Sequence, residues 1–141
     1  MAETPEGATS NKALVQQSFD RWRDGTGGPF ELLTDDAEWT IVGSSPLSKT
    51  YRSRREFIDS VITPFNARLS KPLAPTMRGL YADGEMVIAF FDGAAVANDG
   101  RPYHNTYTWY LQMKNAKAVK VVAFFDTRHF DEFWNRVHPR P

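Results

Sequence analysis

The side chains best suited to chemistry gather in the second half of this sequence. Asp126 closes an apolar strand pattern that ends in Ala123-Phe124-Phe125. A carboxyl buried there would have a raised pKa and could serve as acid and base near neutrality. The same residue precedes a helical pattern, where it can equally act as the helix cap, and both readings stand. Asn105 and Tyr107 lie two apart in the strand-like run Tyr103–Met113. A period of two puts them on one face with Tyr103, Trp109, Leu111 and Met113. His104, Thr106, Thr108, Tyr110 and Gln112 share the other. The first set is the more apolar and is assigned to the core and a pocket. Polar groups in such a setting need partners. Asn105 and Tyr107 either bond to neighbouring strands or aim donors at a substrate oxygen, as in an oxyanion hole. Trp39, Tyr51, Trp109 and Phe124 are candidate walls for a planar hydrophobic ligand, with ordinary core packing as the alternative. Asp92, beside Gly93, lines the pocket or marks a β-bulge, the bulge being the preferred reading.

Other chemistries find little support. His104, His129 and His138 lack metal-ligand spacing, and there is no cysteine, so no metal site is expected. Arg52, Arg54 and Arg55 cluster at a helix start, where the helix dipole disfavours cations, and read as solvated surface. No glycine-rich phosphate loop and no nucleophile motif occurs. No cofactor is expected.

The elements that must hold these residues follow from periodicity. Val15, Phe19 and Trp22 recur at helical spacing after a potential cap at Ser10, and Gly25, Gly27 and Gly28 end that helix. Pro29–Leu33 predicts a short helical turn. Ala37–Val42 reads as a strand closed by Gly43-Ser44-Ser45-Pro46. Ser53-Arg54-Arg55-Glu56 is a capping box before the apolar stripe Phe57, Ile58, Val61, Ile62 and Phe65. Pro64 predicts a kink or an early end. Four strands follow, at 76–82, 85–97, 103–113 and 118–126, joined by turns at Asp83-Gly84, Asn98-Asp99-Gly100 and Lys114-Asn115. Phe130, Phe133, Trp134 and Val137 outline a closing helix. Helices first and a meander after them make the class α+β, with neighbouring strands antiparallel.

The chain has 141 residues, 41% of them hydrophobic and 13% aromatic, enough for one domain with a core. The domain is expected at 11–138, after a flexible tail at 1–10 that has neither a basic leader nor an apolar core. Seventeen basic and seventeen acidic side chains balance, so no footprint for nucleic acid or an anionic membrane is present. No apolar run is long enough for a transmembrane helix, and a cytoplasmic protein is the default expectation. Strands apolar on both faces, such as Met86–Phe91, predict a homodimer through the outer sheet face, the alternative being a strongly curled sheet that buries itself.

The order of these elements resembles the nuclear transport factor 2-like superfamily, and more closely its SnoaL-like branch of polyketide cyclases and ketosteroid-isomerase relatives. The resemblance rests on Glu38–Leu47 with Tyr51 and the capped helix, on Gly100–Tyr107, and on Phe124-Phe125-Asp126-Thr127. It implies a cystatin-like roll: a cone-shaped, curved antiparallel sheet packed against N-terminal helices, with a ligand cavity on its concave side. It also implies dimerisation through the sheet and a catalytic carboxylate at Asp126. Thr40 stands where ketosteroid isomerases carry their general-base aspartate. The Arg and Asp partners that limonene-epoxide hydrolases set on the central strand are not evident, which makes an epoxide hydrolase the weaker comparison. The expectation is a small hydrophobic ligand, with cofactor-independent isomerase or cyclase chemistry at Asp126 supported by Asn105 and Tyr107. The alternative is a ligand-binding or protein-interaction module of the same fold.

Overall fold

The computed structural model describes residues 6–140, with side chains from Asn11 onward. The first helix, α1 (Glu6–Asp24), buries Val15 and Phe19 and ends at Gly25, whose φ of 77° suits a residue without Cβ. It begins at Glu6, so Ser10 lies inside the helix rather than capping it, and 6–10 continue the helix where a flexible tail was expected. Residues 1–5 of that tail lie outside the described residues. A 3-10 turn at Pro29–Leu32 leads into β1 (Leu33–Ile41), longer than its predicted span.

A two-residue strand, β2 (Thr50–Tyr51), precedes the second helical run. Ser53 caps it as expected, accepting from the Glu56 amide at 3.0 Å. The Glu56 carboxylate returns one residue further back than in a standard capping box, to the Arg52 amide at 2.7 Å. The run is not straight: α2 (Arg54–Phe57) passes through a π-helical turn (Ile58–Ile62) into α3 (Thr63–Asn66). Pro64 brings no N–H and disfavours an α conformation before it. The wider turn just ahead of it carries the run past the proline instead of ending it.

The rest is sheet: β3 (Leu69–Asp83), β4 (Met86–Ala97), β5 (Pro102–Lys114) and β6 (Lys117–Phe125), closed by α4 (Thr127–Arg136). Asn115 and Ala116 both have positive φ, 53° and 65°, matching the right-handed twist of the β5–β6 hairpin. The six strands run in the order β2-β1-β6-β5-β4-β3. One expectation fails here: the sheet is mixed, because β1 lies parallel to β6. The two helical segments and β3–β5 separate β1 from β6 in sequence, and a hairpin-by-hairpin reading is blind to that pairing. The sheet is open.

The inner face packs under the helices. Along β5 alternate residues from Tyr103 to Met113 are buried, as the strand parity predicted. Trp39 and Phe57 stack with centroids 4.2 Å apart and planes at 13°, locking α2 onto β1. A second cluster of Phe65, Leu69, Tyr103, Phe130 and Phe133 joins α3 and α4 to the far end of the sheet. The register through Asp92 and Gly93 is regular on both sides, so no bulge occurs there. Of three register shifts along β3, one lies nearby, where Met77 pairs with Phe91 and Gly79 with Phe90, leaving Arg78 as an extra residue of β3. Among the described residues no helix is long and apolar enough to cross a membrane.

Candidate functional site

The helices and the inner face of the sheet border a half-open cavity of about 610 Å³. Its buried wall is Trp39 and Ile41 of β1, Tyr107 and Trp109 of β5, Ala123 of β6 and Phe57 of α2. Phe30, Val61, Phe65 and Phe130 add to it, and Asn66, Ser70 and Arg140 belong to its exposed rim. The volume is that of a site for a small organic molecule. Gly93 makes one side of it possible. A Cβ there would come within 2.9 Å of Leu73 and 3.1 Å of the Tyr107 ring, so glycine lets both lie against β4.

Tyr107 is the end of a hydrogen-bonded chain. Asn105 donates from Nδ2 to the Tyr103 hydroxyl at 2.9 Å, and the hydroxyls of Tyr103 and Tyr107 are 2.9 Å apart. Burial pushes the Tyr103 phenol up to about 12, against smaller downward effects of its bonds to Tyr107 and Asn105. Burial also holds the Tyr107 phenol well above its ordinary value, helped by the neighbouring Tyr103. Both phenols therefore keep their protons at neutral pH.

Asn105 itself is fully engaged. Besides Tyr103, its Nδ2 donates to the Asp126 carbonyl at 3.0 Å. Its Oδ1 accepts from the amides of Asp126 (3.1 Å) and Thr106 (2.8 Å). The β5–β6 ladder ends at Tyr107–Phe125. One step beyond, the carboxamide presents donor and acceptor to Asp126 as a neighbouring peptide would. It pins the end of β6 rather than reaching into the cavity.

The other expected site residues separate. Trp39, Tyr107 and Trp109 line the cavity together. Tyr51 is buried outside it, donating to the Leu47 carbonyl at 2.7 Å and packing on Phe57. Asp92 is on the outer face, bonded to Thr106 (2.8 Å) and Arg78 (3.5 Å). Phe124 is 46% exposed on that same outer face, against Tyr110, while Phe125 takes the cavity position. Asp126 is exposed and is the N-cap of α4, its Oδ1 accepting from the His129 amide at 3.1 Å. It does not line the cavity. With His104, Asn105 and His129 it borders a shallow groove on the outside of the sheet. The expectation that Asp126, Asn105 and Tyr107 share one enclosed pocket fails, because of the three only Tyr107 lines this cavity. The physical reason is parity: Val121, Ala123 and Phe125 point inward, so Phe124 and Asp126 point outward. Sequence reasoning missed Ala123, Phe125 and Phe130 as lining residues, although that alternation and the helical spacing of α4 carried the signal.

Comparison with solved structures bears on the fold. A nuclear transport factor 2-like protein from Burkholderia thailandensis superposes with a TM-score of 0.71 at 17% identity, over 87% of this chain and 95% of that one. The fold is nuclear transport factor 2-like. Within this fold, a SnoaL-like polyketide cyclase from Jannaschia sp. CCS1 matches with a TM-score of 0.69 at 14% identity, over 92% and 94% of the two chains. TerC, co-crystallised with polyporic acid, matches with a TM-score of 0.71 at 20% identity, over 89% and 98%. The resemblance read from the sequence is borne out at this level. No family model and no curated protein matches the chain. Identities this low carry the architecture, and function has to be argued from the site.

Proposed function

We propose that this protein binds a small hydrophobic molecule in the cavity between its helices and sheet, and orients it through the Tyr107 hydroxyl. The observation that carries the reading is the make-up of the buried wall. It is aromatic and aliphatic, Tyr107 is its one hydroxyl-bearing residue, and no carboxylate or imidazole belongs to it among the described residues. Glu31, the carboxylate at the rim, is more than half exposed and sits 3.8 Å from Arg21. With Tyr103 accepting from Asn105, donation onward to Tyr107 frees the Tyr107 proton for an oxygen in the cavity. A protonated phenol is a hydrogen-bond donor at neutral pH, not a base. This favours binding over the proton shuttle expected at Asp126. That one structural neighbour was crystallised with polyporic acid is consistent with a cavity of this kind.

The test is a titration with the neutral dye Nile red, followed by its fluorescence. Saturable binding is expected in the wild type. Ala123 is 1% exposed and lines the cavity, so Ala123→Leu projects new bulk into it. Affinity should fall by about tenfold or more, with Ala123→Met as the gentler variant if leucine strains the core. A dye that binds both variants as tightly as the wild type would mean that the cavity is not the site.

The outer face supports the homodimer expected from the sequence. Ile88, Phe90, Tyr110, Val122 and Phe124 adjoin one another across β4, β5 and β6, and Phe124 is nearly half exposed. A second copy of the chain is its natural cover. Light scattering at micromolar concentration should give twice the chain mass for the wild type and a shift toward one chain mass for Phe124→Lys. A monomeric wild type would refute the dimer.

A further inference from the structure

We infer that Arg140 makes this cavity selective for hydrophobic ligands that carry an anionic head, a carboxylate above all. The inference rests on the cavity being a ligand site and names the chemistry that site would prefer.

The segment after α4 turns back over the cavity rim. The Arg140 amide donates to the Ala67 carbonyl at 2.9 Å, and its Nη2 donates to the Leu69 carbonyl at 3.0 Å. These two bonds hold the guanidinium where it joins Asn66, Ser70 and Leu73 in lining the opening. A guanidinium has five N–H donors, and one is used here. No acidic side chain among the described residues lies within ion-pair distance of Arg140.

Among the described residues no carboxylate answers that positive charge. Arg68, buried and next in sequence to the Ala67 that Arg140 bonds, stacks its guanidinium on Trp134 at 3.8 Å and donates to the carbonyls of Trp134, Val137 and Pro64. Its partners are neutral, so it adds to the charge. Lys71 follows on β3, exposed. Four carboxylates have other partners. Asp99 and Glu132 both bind Arg136, Asp131 accepts from Ser45, and Glu31 faces Arg21. An arginine with free donors, fixed by its own backbone at the mouth of an apolar cavity, is suited to a carboxylate whose hydrocarbon body lies within.

The experiment compares biphenyl-4-acetic acid with its neutral amide, biphenyl-4-acetamide, by calorimetry at pH 7.5. The wild type is expected to bind the acid about fivefold to tenfold more tightly than the amide, the range for a charge-assisted pair at a partly exposed site. Arg140→Gln should abolish that preference by bringing the acid's affinity down to that of the amide, while Arg140→Lys should retain part of it. The residue is exposed and its amide bond to Ala67 does not depend on the side chain, so Arg140→Gln is expected to fold normally, as its melting curve will report. Equal binding of acid and amide by the wild type overturns the assignment, as does a preference that survives Arg140→Gln. Either result leaves the cavity reading intact. Failure of both compounds to bind the wild type, with Nile red also unbound, overturns the cavity reading and this inference with it.

Discussion

Asn105→Leu is expected to destabilise the fold by about 3 kcal/mol and to lower the melting temperature by roughly 10 °C, whereas Asp126→Asn should change either by little. The two residues were candidates for the same chemistry, yet their environments are opposite. Asn105 is 7% exposed and all four of its polar contacts are internal. A net contribution of about 1 kcal/mol per neutral bond would give about 4 kcal/mol. Some of that is recovered because Asp126 is exposed and its backbone can turn to water. The rest is not, since leucine has the volume but neither donor nor acceptor, and the Tyr103 hydroxyl loses one of its two partners in an apolar cluster. Asp126, by contrast, accepts one bond from the His129 amide at a helix N-terminus, a role asparagine fills about as well. Urea or thermal unfolding of the two variants beside the wild type checks the contrast. Equal losses would mean that the carboxamide is not the pin at the end of β6.

Stability is expected to fall steeply between about pH 10 and pH 12, by roughly 2–3 kcal/mol from Tyr103 alone. An unfolded tyrosine loses its proton near pH 10. Folded Tyr103 keeps its proton to about pH 12, because burial penalises the phenolate. Between those values the unfolded chain binds fewer protons than the folded one, so stability declines as pH rises. Below pH 10 both states are protonated and the contribution is complete. Tyr107, also held above its ordinary value by burial, extends the loss in the same direction. Other groups titrate in this range, so the informative quantity is the difference between wild type and Tyr103→Phe. Urea midpoints at pH 8, 10 and 11.5 should show the wild type losing ground to the variant across the window. Parallel curves would show that Tyr103 is reached by hydroxide and water in the folded state.

The two predictions also mark where a sequence reading succeeds and where it stops. Local rules worked where the chain's own periodicity decides the outcome. Val15, Phe19 and Trp22 define the buried face of α1, Ser53 caps α2, and alternation sorts β5 into inner and outer faces. Each depends on covalent geometry over a few residues, so the sequence carries it directly. Along β6 the same alternation puts Phe124 and Asp126 on the outer face, against the pocket positions expected for both. The analogy with catalytic strand ends pulled them inward, against their parity.

What the sequence by itself determined was the order of the main elements, the Ser53 cap, the parity of β5 and, through these, a class of fold. Tertiary structure alone decided that β1 runs parallel to β6, that the Asn105 carboxamide stands in for a missing rung beyond Phe125, and that Arg140 returns to Ala67 and Leu69 at the cavity mouth. These join residues from 21 to more than 70 positions apart. Local periodicity says which way a side chain points. It does not say what it meets, because the partner is chosen by the packing of the whole chain, where burying apolar surface and satisfying buried polar groups must be met together.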